Sequence, residues 1–404
     1  KHSLRGDSGI TNAHRNAPSQ QNRRGFLRLA AAGSVASAAR PLHIAQSPRR
    51  PPEDFFRLAE HRGRWWFRTP EGRLFFSLAL NHIDSAPLRQ EATREIWERK
   101  YGNSHERWLK ESVRPHLLAW GFNSVGWVQE VVARSLTNHR HSRNFTFEEY
   151  QWLDMPYCHM LPFADFHQWE AETRHPSIHS SDFADWCDYV ARDQCARFAA
   201  DPKLIGYFYI DCPTWVHTRK ENTWKGPLFD PERLPSEAGR KELHALASRY
   251  YQVTHDAIRR YDPNHLILGD RYEANAPLPM EVVQAAAPYV DVLSFQDFQG
   301  PAGHLKQWHS DTGKPVLWAD GAKPEKRDFA GGYLSHDTAW YARQLAGFRE
   351  NPGCVGAHLC GAYIANNVRR RGLLGPQEQP DERSIAGFTK AHREMEAWVS
   401  SFEG

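Results

Sequence analysis

Long hydrophobic runs are missing from this 404-residue sequence. No apolar stretch approaches the roughly 20 residues that a helix needs to cross a bilayer, so we predict no membrane association. Linkers between domains are missing as well, and no segment repeats another. These absences favour one large folded domain at residues 51–404.

Metal-binding cysteine patterns are also absent. The six cysteines form no CxxC pair and show no other spacing typical of zinc ligands, so we predict neither a metal nor a cofactor. Cys158 and Cys212 are predicted to follow neighbouring strands. A disulfide between them is possible, and it would give Cys212 a structural role.

A strong excess of one charge is absent from the main part of the chain. The formal net charge is +3, but residues 1–50 hold nine Lys or Arg and one Asp, which leaves −5 for the other 354 residues. Such a domain does not favour nucleic acid or an anionic membrane as its partner. Because the chain contains 15 tryptophans, a neutral partner such as a carbohydrate fits better.

The basic segment at residues 1–50 has the features of an export signal. Residues 22–28 read NRRGFLR, in which paired arginines precede Phe-Leu and another base, as in twin-arginine signals. An alanine-rich stretch follows at residues 29–39, with Ala-Ser-Ala at 36–38 as a small-residue cleavage site. We therefore expect an exported protein, periplasmic or extracellular. The alternative is a disordered basic tail.

Short apolar runs alternate with amphipathic stretches from residue 64 onward. Helices are predicted at residues 182–200 and 236–261, where large apolar residues recur at helical spacing before an Asp-Pro stop. Alternation of strands and helices predicts a parallel sheet, and eight strands close a (β/α)8 TIM barrel of the α/β class. The predicted barrel strands are residues 75–80, 124–127, 157–161, 205–210, 266–269, 290–295, 316–318 and 355–359.

Polar and aromatic side chains follow the carboxyl ends of these strands, where TIM barrels carry their working residues. Carboxylates recur after strands four to seven and suit acid–base chemistry on a sugar, a metal site or a polar rim. Tryptophans near the same ends offer flat faces for sugar rings, although each one suits barrel packing equally well. The candidates are Asp211, Asp320, Asp297 and Cys212 for catalysis, and Asn81, His82, Trp127, His159, Trp215, Arg271, Gln296, Trp318 and His358 for substrate binding.

The order of several motifs resembles the beta-agarase-like barrels in clan A of the glycoside hydrolases. GRWWFRTPEGR at residues 63–73 resembles the opening of those barrels, and LAWGFNSVG at 118–126 resembles their second strand. The later matches are DPKLIGYF at 201–208, GDR at 269–271, YVDV at 289–292, GKPVL at 313–317 and RGLL at 371–374. The resemblance covers nearly all of the chain after residue 50 and implies a barrel that acts on a carbohydrate.

The same resemblance implies that both usual catalytic glutamates are replaced. These barrels carry Asn-Glu after strand four, where the Glu is the acid/base, and a nucleophilic Glu after strand seven. The corresponding residues here are Asp211, Cys212 and Asp320. A thiol with a reference pKa of about 8.5 is a poor proton donor near neutral pH. An Asp carboxylate is retracted by about 1–1.5 Å relative to Glu.

Three functions are compatible with these replacements. The first is a glycoside hydrolase in which Asp211 is the acid and Asp320 or Asp297 is the base or nucleophile. A retracted carboxylate would widen the gap toward the roughly 6.5–9.5 Å of inverting enzymes. The second is a lyase or transferase that uses Cys212 or a histidine near a strand end. The third is an inactive barrel that only binds carbohydrate.

Overall fold

The computed structural model describes residues 54–127, 129–133, 139–166, 175–218, 226–366 and 370–404. The twin-arginine-type motif and its alanine-rich stretch lie outside the described residues. Within the described part of the chain, no helix combines the length and the hydropathy that a membrane crossing requires.

Eight parallel strands close into a barrel and follow one another around the ring in chain order. This arrangement confirms the predicted TIM barrel, and each predicted strand overlaps an observed one. The strands, numbered β1 to β8, are Ser77–Leu80, Ser124–Val125, Tyr157–Met160, Leu204–Asp211, Leu266–Glu273, Leu293–Gln296, Val316–Gly321 and Cys354–Leu359.

Helices surround the barrel, and both predicted helices are present. Glu237–Tyr261 begins after Ser236, whose hydroxyl accepts a hydrogen bond from the Gly239 amide, as a good N-cap does. The other predicted helix starts as Ser181–Val190 and continues through a π-helical turn to Phe198. The remaining α-helices are Arg94–Tyr101, His105–Trp108, Arg114–Ala119, Phe147–Leu153, Met280–Ala286, Pro301–Thr312, Thr338–Arg349 and Glu382–Ser400.

Short strands outside the barrel form small sheets. The antiparallel strands Arg57–His61, Arg64–Arg68 and Leu74–Phe75 precede β1. Phe56 and Phe67 from this region belong to the apolar cluster inside the barrel. Further pairs are Gln129–Ala133 with His139–Asn144, Pro324–Asp328 with Leu334–His336, and Ala362–Ile364 with Gly372–Leu374.

An irregularity in β5 turns a polar side chain into the barrel. Gly269 has a left-handed backbone with φ of +65°, and the register between β4 and β5 shifts on both sides of it. Bulges of this kind change which face of the strand the following side chains occupy. Leu268 belongs to the interior cluster, and Arg271 also faces the interior, although strict alternation would turn it outward.

Candidate active site in the barrel mouth

A buried arginine lies between two carboxylates at the carboxyl ends of the barrel strands. Arg271 is 0% exposed. Its Nη1 is 3.2 Å from Oδ1 of Asp211 on β4, and its Nη2 is 3.4 Å from Oδ2 of Asp320 on β7. The guanidinium carbon lies 4.4 Å from the centre of the Trp127 ring. The structure therefore brings together four of the residues that the sequence predicts for the site.

Two side-chain amides hold the same carboxylates. Asn81, directly after β1, donates from Nδ2 to Oδ1 of Asp320 at 2.7 Å, and its own Oδ1 accepts from the Trp127 amide at 2.8 Å. Gln296, the last residue of β6, donates from Nε2 to Oδ1 of Asp211. Each aspartate thus contacts one amide donor and one arm of the guanidinium, which fixes the orientation of both carboxylates.

His358 lies inside the barrel on β8 and is 0% exposed. Its Nε2 is 2.9 Å from the Ser77 hydroxyl, which is 2.8 Å from the Ser124 hydroxyl. Burial, assisted by the positive charge of Arg271, lowers the pKa of His358 to about 3. The imidazole is therefore neutral at neutral pH and contributes hydrogen bonds to the site without adding a charge.

Two residues at the mouth have the left-handed backbone conformation that side chains other than glycine seldom adopt. His82 follows β1 with φ of 61°, and Cys212 follows β4 with φ of 46°. The His82 amide donates to the Trp127 carbonyl at 3.1 Å, and the Cys212 amide donates to the Arg271 carbonyl at 3.0 Å. Strain of this kind costs roughly 1–3 kcal/mol per residue and is concentrated at functional sites.

Cys360 is a mouth residue that is missing from the sequence-based candidates. It directly follows β8, and its thiol, a His82 ring nitrogen and an Asp320 carboxylate oxygen all lie within 4.8 Å of one another. In the sequence, the position of Cys360 directly after a predicted strand is the signal that identifies it as a mouth residue. All six cysteines are free thiols, so Cys158 and Cys212 are not joined by the disulfide considered above.

Three other candidates point from the strand ends into the outer packing layer. His159 lies 3.3 Å from the Tyr150 hydroxyl and 2.8 Å from Oε1 of Gln194, and burial lowers its pKa to about 4. Trp215 packs against aromatic rings of the helix Glu237–Tyr261. Trp318 packs against rings of the helix Thr338–Arg349. The structure does not bring these three side chains to Arg271.

Asp297 is buried and anchors the loop before the helix Pro301–Thr312. Its Oδ1 accepts hydrogen bonds from the amides of Gln299 at 2.7 Å and Gly300 at 3.1 Å, and from Asn275 at 3.2 Å. Its Oδ2 lies 2.5 Å from Nδ1 of His304. The Asp297 carboxylate therefore stabilises the backbone of this loop, whereas the carboxylates of Asp211 and Asp320 contact Arg271.

Comparisons with known proteins agree with this architecture. No protein-family model matches the chain. Beta-agarase B of Vibrio sp. (strain JT0107) is 28% identical over 125 residues, which are 29% of this chain and 13% of that protein. A solved exo-beta-agarase superposes with a TM-score of 0.66 at 16% identity, over 88% of this chain and 66% of that one. The agarase AgWH50C gives 0.63 at 18% identity, over 87% and 65%.

The chain thus spans just under two thirds of the length of these two solved agarases. At such low identity, the likeness shows that this chain has the barrel fold of those enzymes.

Proposed function

We propose that this protein is a glycoside hydrolase that cleaves a poly- or oligosaccharide in the barrel mouth. Asp211 and Asp320 are its two reacting carboxyl groups. The observation that carries the proposal is the placement of both carboxylates on the two arms of the buried Arg271 guanidinium. They come from β4 and β7, the strands that bear the catalytic pair in the barrels that the sequence resembles.

In the proposed reaction, Asp211 is the general acid and Asp320 is the general base. Asp211 gives its proton to the glycosidic oxygen as the bond from that oxygen to the anomeric carbon breaks. A water molecule attacks the anomeric carbon from the opposite face and gives a proton to Asp320. Asp211 reacts from its protonated form, so Arg271 balances the charge of Asp320 before the reaction. As Asp211 gives up its proton it becomes a carboxylate, and this new negative charge favours the cationic sugar of the transition state.

We propose inversion of the anomeric configuration. An Asp carboxylate reaches less far than the usual Glu, which favours the wider separation of inverting enzymes, where a water molecule is accommodated. Cys212 has no part in this reaction, because Asp211 and Asp320 carry out both proton transfers.

We assign substrate binding to the polar and aromatic groups that surround the two aspartates. The His82 and Trp127 rings lie 5.3 Å apart at their centres in an edge-to-face arrangement, and Trp127 also contacts the Arg271 guanidinium. His159, Trp215 and Trp318 serve in packing, because their contacts lie in the outer layer. The binding residues are Asn81, His82, Trp127, Arg271, Gln296 and His358.

Agar-type galactans are the proposed first substrates, because the curated relative and the solved structures described above are named as agarases. We also propose export by the twin-arginine route, which rests on the NRRGFLR motif at residues 22–28. Export places the protein where polysaccharides occur.

Asp211→Asn and Asp320→Asn test the proposed pair. Each variant should lower the rate of sugar release by about 100-fold or more, since each removes a proton-transfer group while keeping the size of the side chain. Release is measured as reducing ends produced per minute. Asp185→Asn, at an exposed position on the helix Ser181–Val190, is the matched control and should retain the full rate.

Unchanged release in both aspartate variants would exclude the proposed pair. If Cys212→Ser abolished release while both aspartate variants retained it, the thiol-dependent alternative would replace the hydrolase proposed here.

A further inference from the structure

Three side chains of types that can bind transition metals converge at the barrel mouth. His82 and Cys360 follow β1 and β8, and Asp320 is the residue before the last of β7; the three strands are neighbours in the barrel. Their candidate ligand atoms lie within 4.8 Å of one another, and the three residues are only 1%, 3% and 5% exposed. Bonds of about 2.0–2.3 Å to a single zinc ion would require only small side-chain movements from this arrangement.

Backbone hydrogen bonds fix the positions of two of these residues. The Cys360 amide donates to the Gly321 carbonyl at 3.0 Å, which ties the end of β8 to the end of β7. The His82 carbonyl accepts from the Tyr363 amide at 3.1 Å, and His82 keeps its left-handed φ of 61°. The fold thus maintains an unfavourable backbone conformation at the residue that supplies the imidazole.

Asn81 supplies the support that metal-binding carboxylates usually have. It donates to Oδ1 of Asp320 at 2.7 Å, and the Trp127 amide in turn fixes the Asn81 oxygen. Outer hydrogen bonds of this kind orient ligands and contribute strongly to metal affinity. A carboxylate oxygen has two lone pairs, so it can accept from Asn81 and still bind an ion.

The charges in the mouth also favour a cation. Arg271 contacts both Asp211 and Asp320, so when both carboxyl groups are ionised its single positive charge balances one of them. Deprotonation of Cys360 on metal binding would leave two negative charges. A divalent ion neutralises these two charges in a buried site, where uncompensated charge is costly.

We propose that His82, Asp320 and Cys360 bind one Zn²⁺ ion. A thiolate, an imidazole and a carboxylate form a ligand set that suits zinc, and three protein ligands leave a fourth position for water. Binding releases the thiol proton of Cys360 to the solvent. Zinc on Asp320 withdraws the proposed base from the sugar reaction, so the ion inhibits hydrolysis. That consequence rests on the proposed function, whereas zinc binding does not.

Calorimetric titration of the metal-free full chain with zinc chloride should give one ion per chain. Cys360→Ser and His82→Asn should each weaken binding by on the order of 100-fold, since each removes a ligand. Asn is used at position 82 because it tolerates a left-handed backbone. Cys354→Ser is the matched control, because Cys354 is a buried thiol at the opposite end of the same strand, and it should bind zinc as the unmodified protein does.

Cobalt provides a readout that does not depend on stable variants. The unmodified protein loaded with Co²⁺ should show a thiolate-to-cobalt charge-transfer band that persists in Cys212→Ser and disappears in Cys360→Ser. Absence of zinc binding by the unmodified protein would overturn the proposal, and so would a charge-transfer band that depends on Cys212 instead. Both titrations are done without sugar, so their failure leaves the hydrolase proposal untouched.

Discussion

Arg271 is fully buried, and a buried charge is costly unless partners compensate it. Asp211 and Asp320 are those partners, and the face of the Trp127 ring lies against the guanidinium. The two carboxylates depend on the arginine in the same way, because without it they would be adjacent anions in a buried mouth. This group of charges is therefore coupled, and removal of one member affects the others.

Arg271→Met should lower the free energy of unfolding by about 3–5 kcal/mol, because it leaves two buried carboxylates without their cation. Urea denaturation at neutral pH measures this loss. Adding Asp211→Asn and Asp320→Asn to Arg271→Met should recover part of the stability, since the charges that lacked a partner are then gone. A stable Arg271→Met variant, or a triple variant with no recovery, would contradict the coupling.

Position in the sequence predicted which residues lie near the mouth better than it predicted where their side chains point. Asn81 follows β1, Gln296 ends β6 and Arg271 lies two residues before the end of β5, and their contacts lie at the mouth. His159 and Trp318 satisfy the same criterion along the chain but face the outer helices. The face of a strand depends on register and bulges, which involve neighbouring strands and are not encoded locally.

The irregular part of β5 shows how an element determines the site. Gly269 has a φ of +65°, and a Cβ atom there would lie 2.9 Å from Cγ1 of Val290. Only glycine adopts this conformation without cost, so the register shift depends on it. Arg271, two residues later, faces the interior because of that shift.

Gly269→Ala should destabilise the protein by about 1–2 kcal/mol from backbone strain alone, and the close contact with Val290 adds to the loss. Gly303→Ala is the matched control, because Gly303 lies in the helix Pro301–Thr312 with open space around its Cα. The control should be neutral or stabilising by about 0.5–1 kcal/mol. Urea midpoints of the two variants are compared, and equal midpoints would show that the left-handed backbone is unimportant.

The barrel strands and the two predicted helices were accessible from the sequence because apolar periodicity reports burial directly. β6 shows the limit of that signal. The apolar run predicts a strand from Val290, but pairing begins at Leu293. Val290 and Val292 are buried in the connection that leads into the strand. Burial alone does not distinguish a strand from a packed turn before it.

Buried histidines give the whole molecule a characteristic response to acid. Burial lowers the pKa of His159 and His392 to about 4 and, with help from nearby arginines, that of His336 and His358 to about 3. In the unfolded chain these groups take up protons near pH 6.5. The unfolded state therefore binds more protons between about pH 6.5 and pH 3, and the free energy of unfolding falls as the pH falls.

Asp270 has the opposite effect. Burial raises the pKa of this carboxyl to about 7, so the folded protein keeps a proton that the unfolded chain loses near pH 4. Its contribution to stability decreases as the pH rises between these two values. Four histidines outweigh one aspartate, so acidification should destabilise the protein overall.

Urea unfolding at pH 7 and pH 5 should therefore show a free energy that is lower at pH 5 by several kcal/mol. His336→Gln should reduce this difference by about the contribution of one buried histidine. His336 suits the test because it lies outside the mouth, where its ring contacts Phe388. A free energy of unfolding that is constant or rises on acidification would contradict the buried neutral histidines.

The most direct test of the proposed hydrolase is product analysis after digestion of a polysaccharide panel in water enriched in oxygen-18. The protein should release sugars that carry one heavy oxygen at the new reducing end, with the first-formed anomer inverted relative to the bond cleaved. Products lighter by one water would instead identify a lyase. Measurable sugar binding without any product would identify a barrel that holds carbohydrate and does not cleave it.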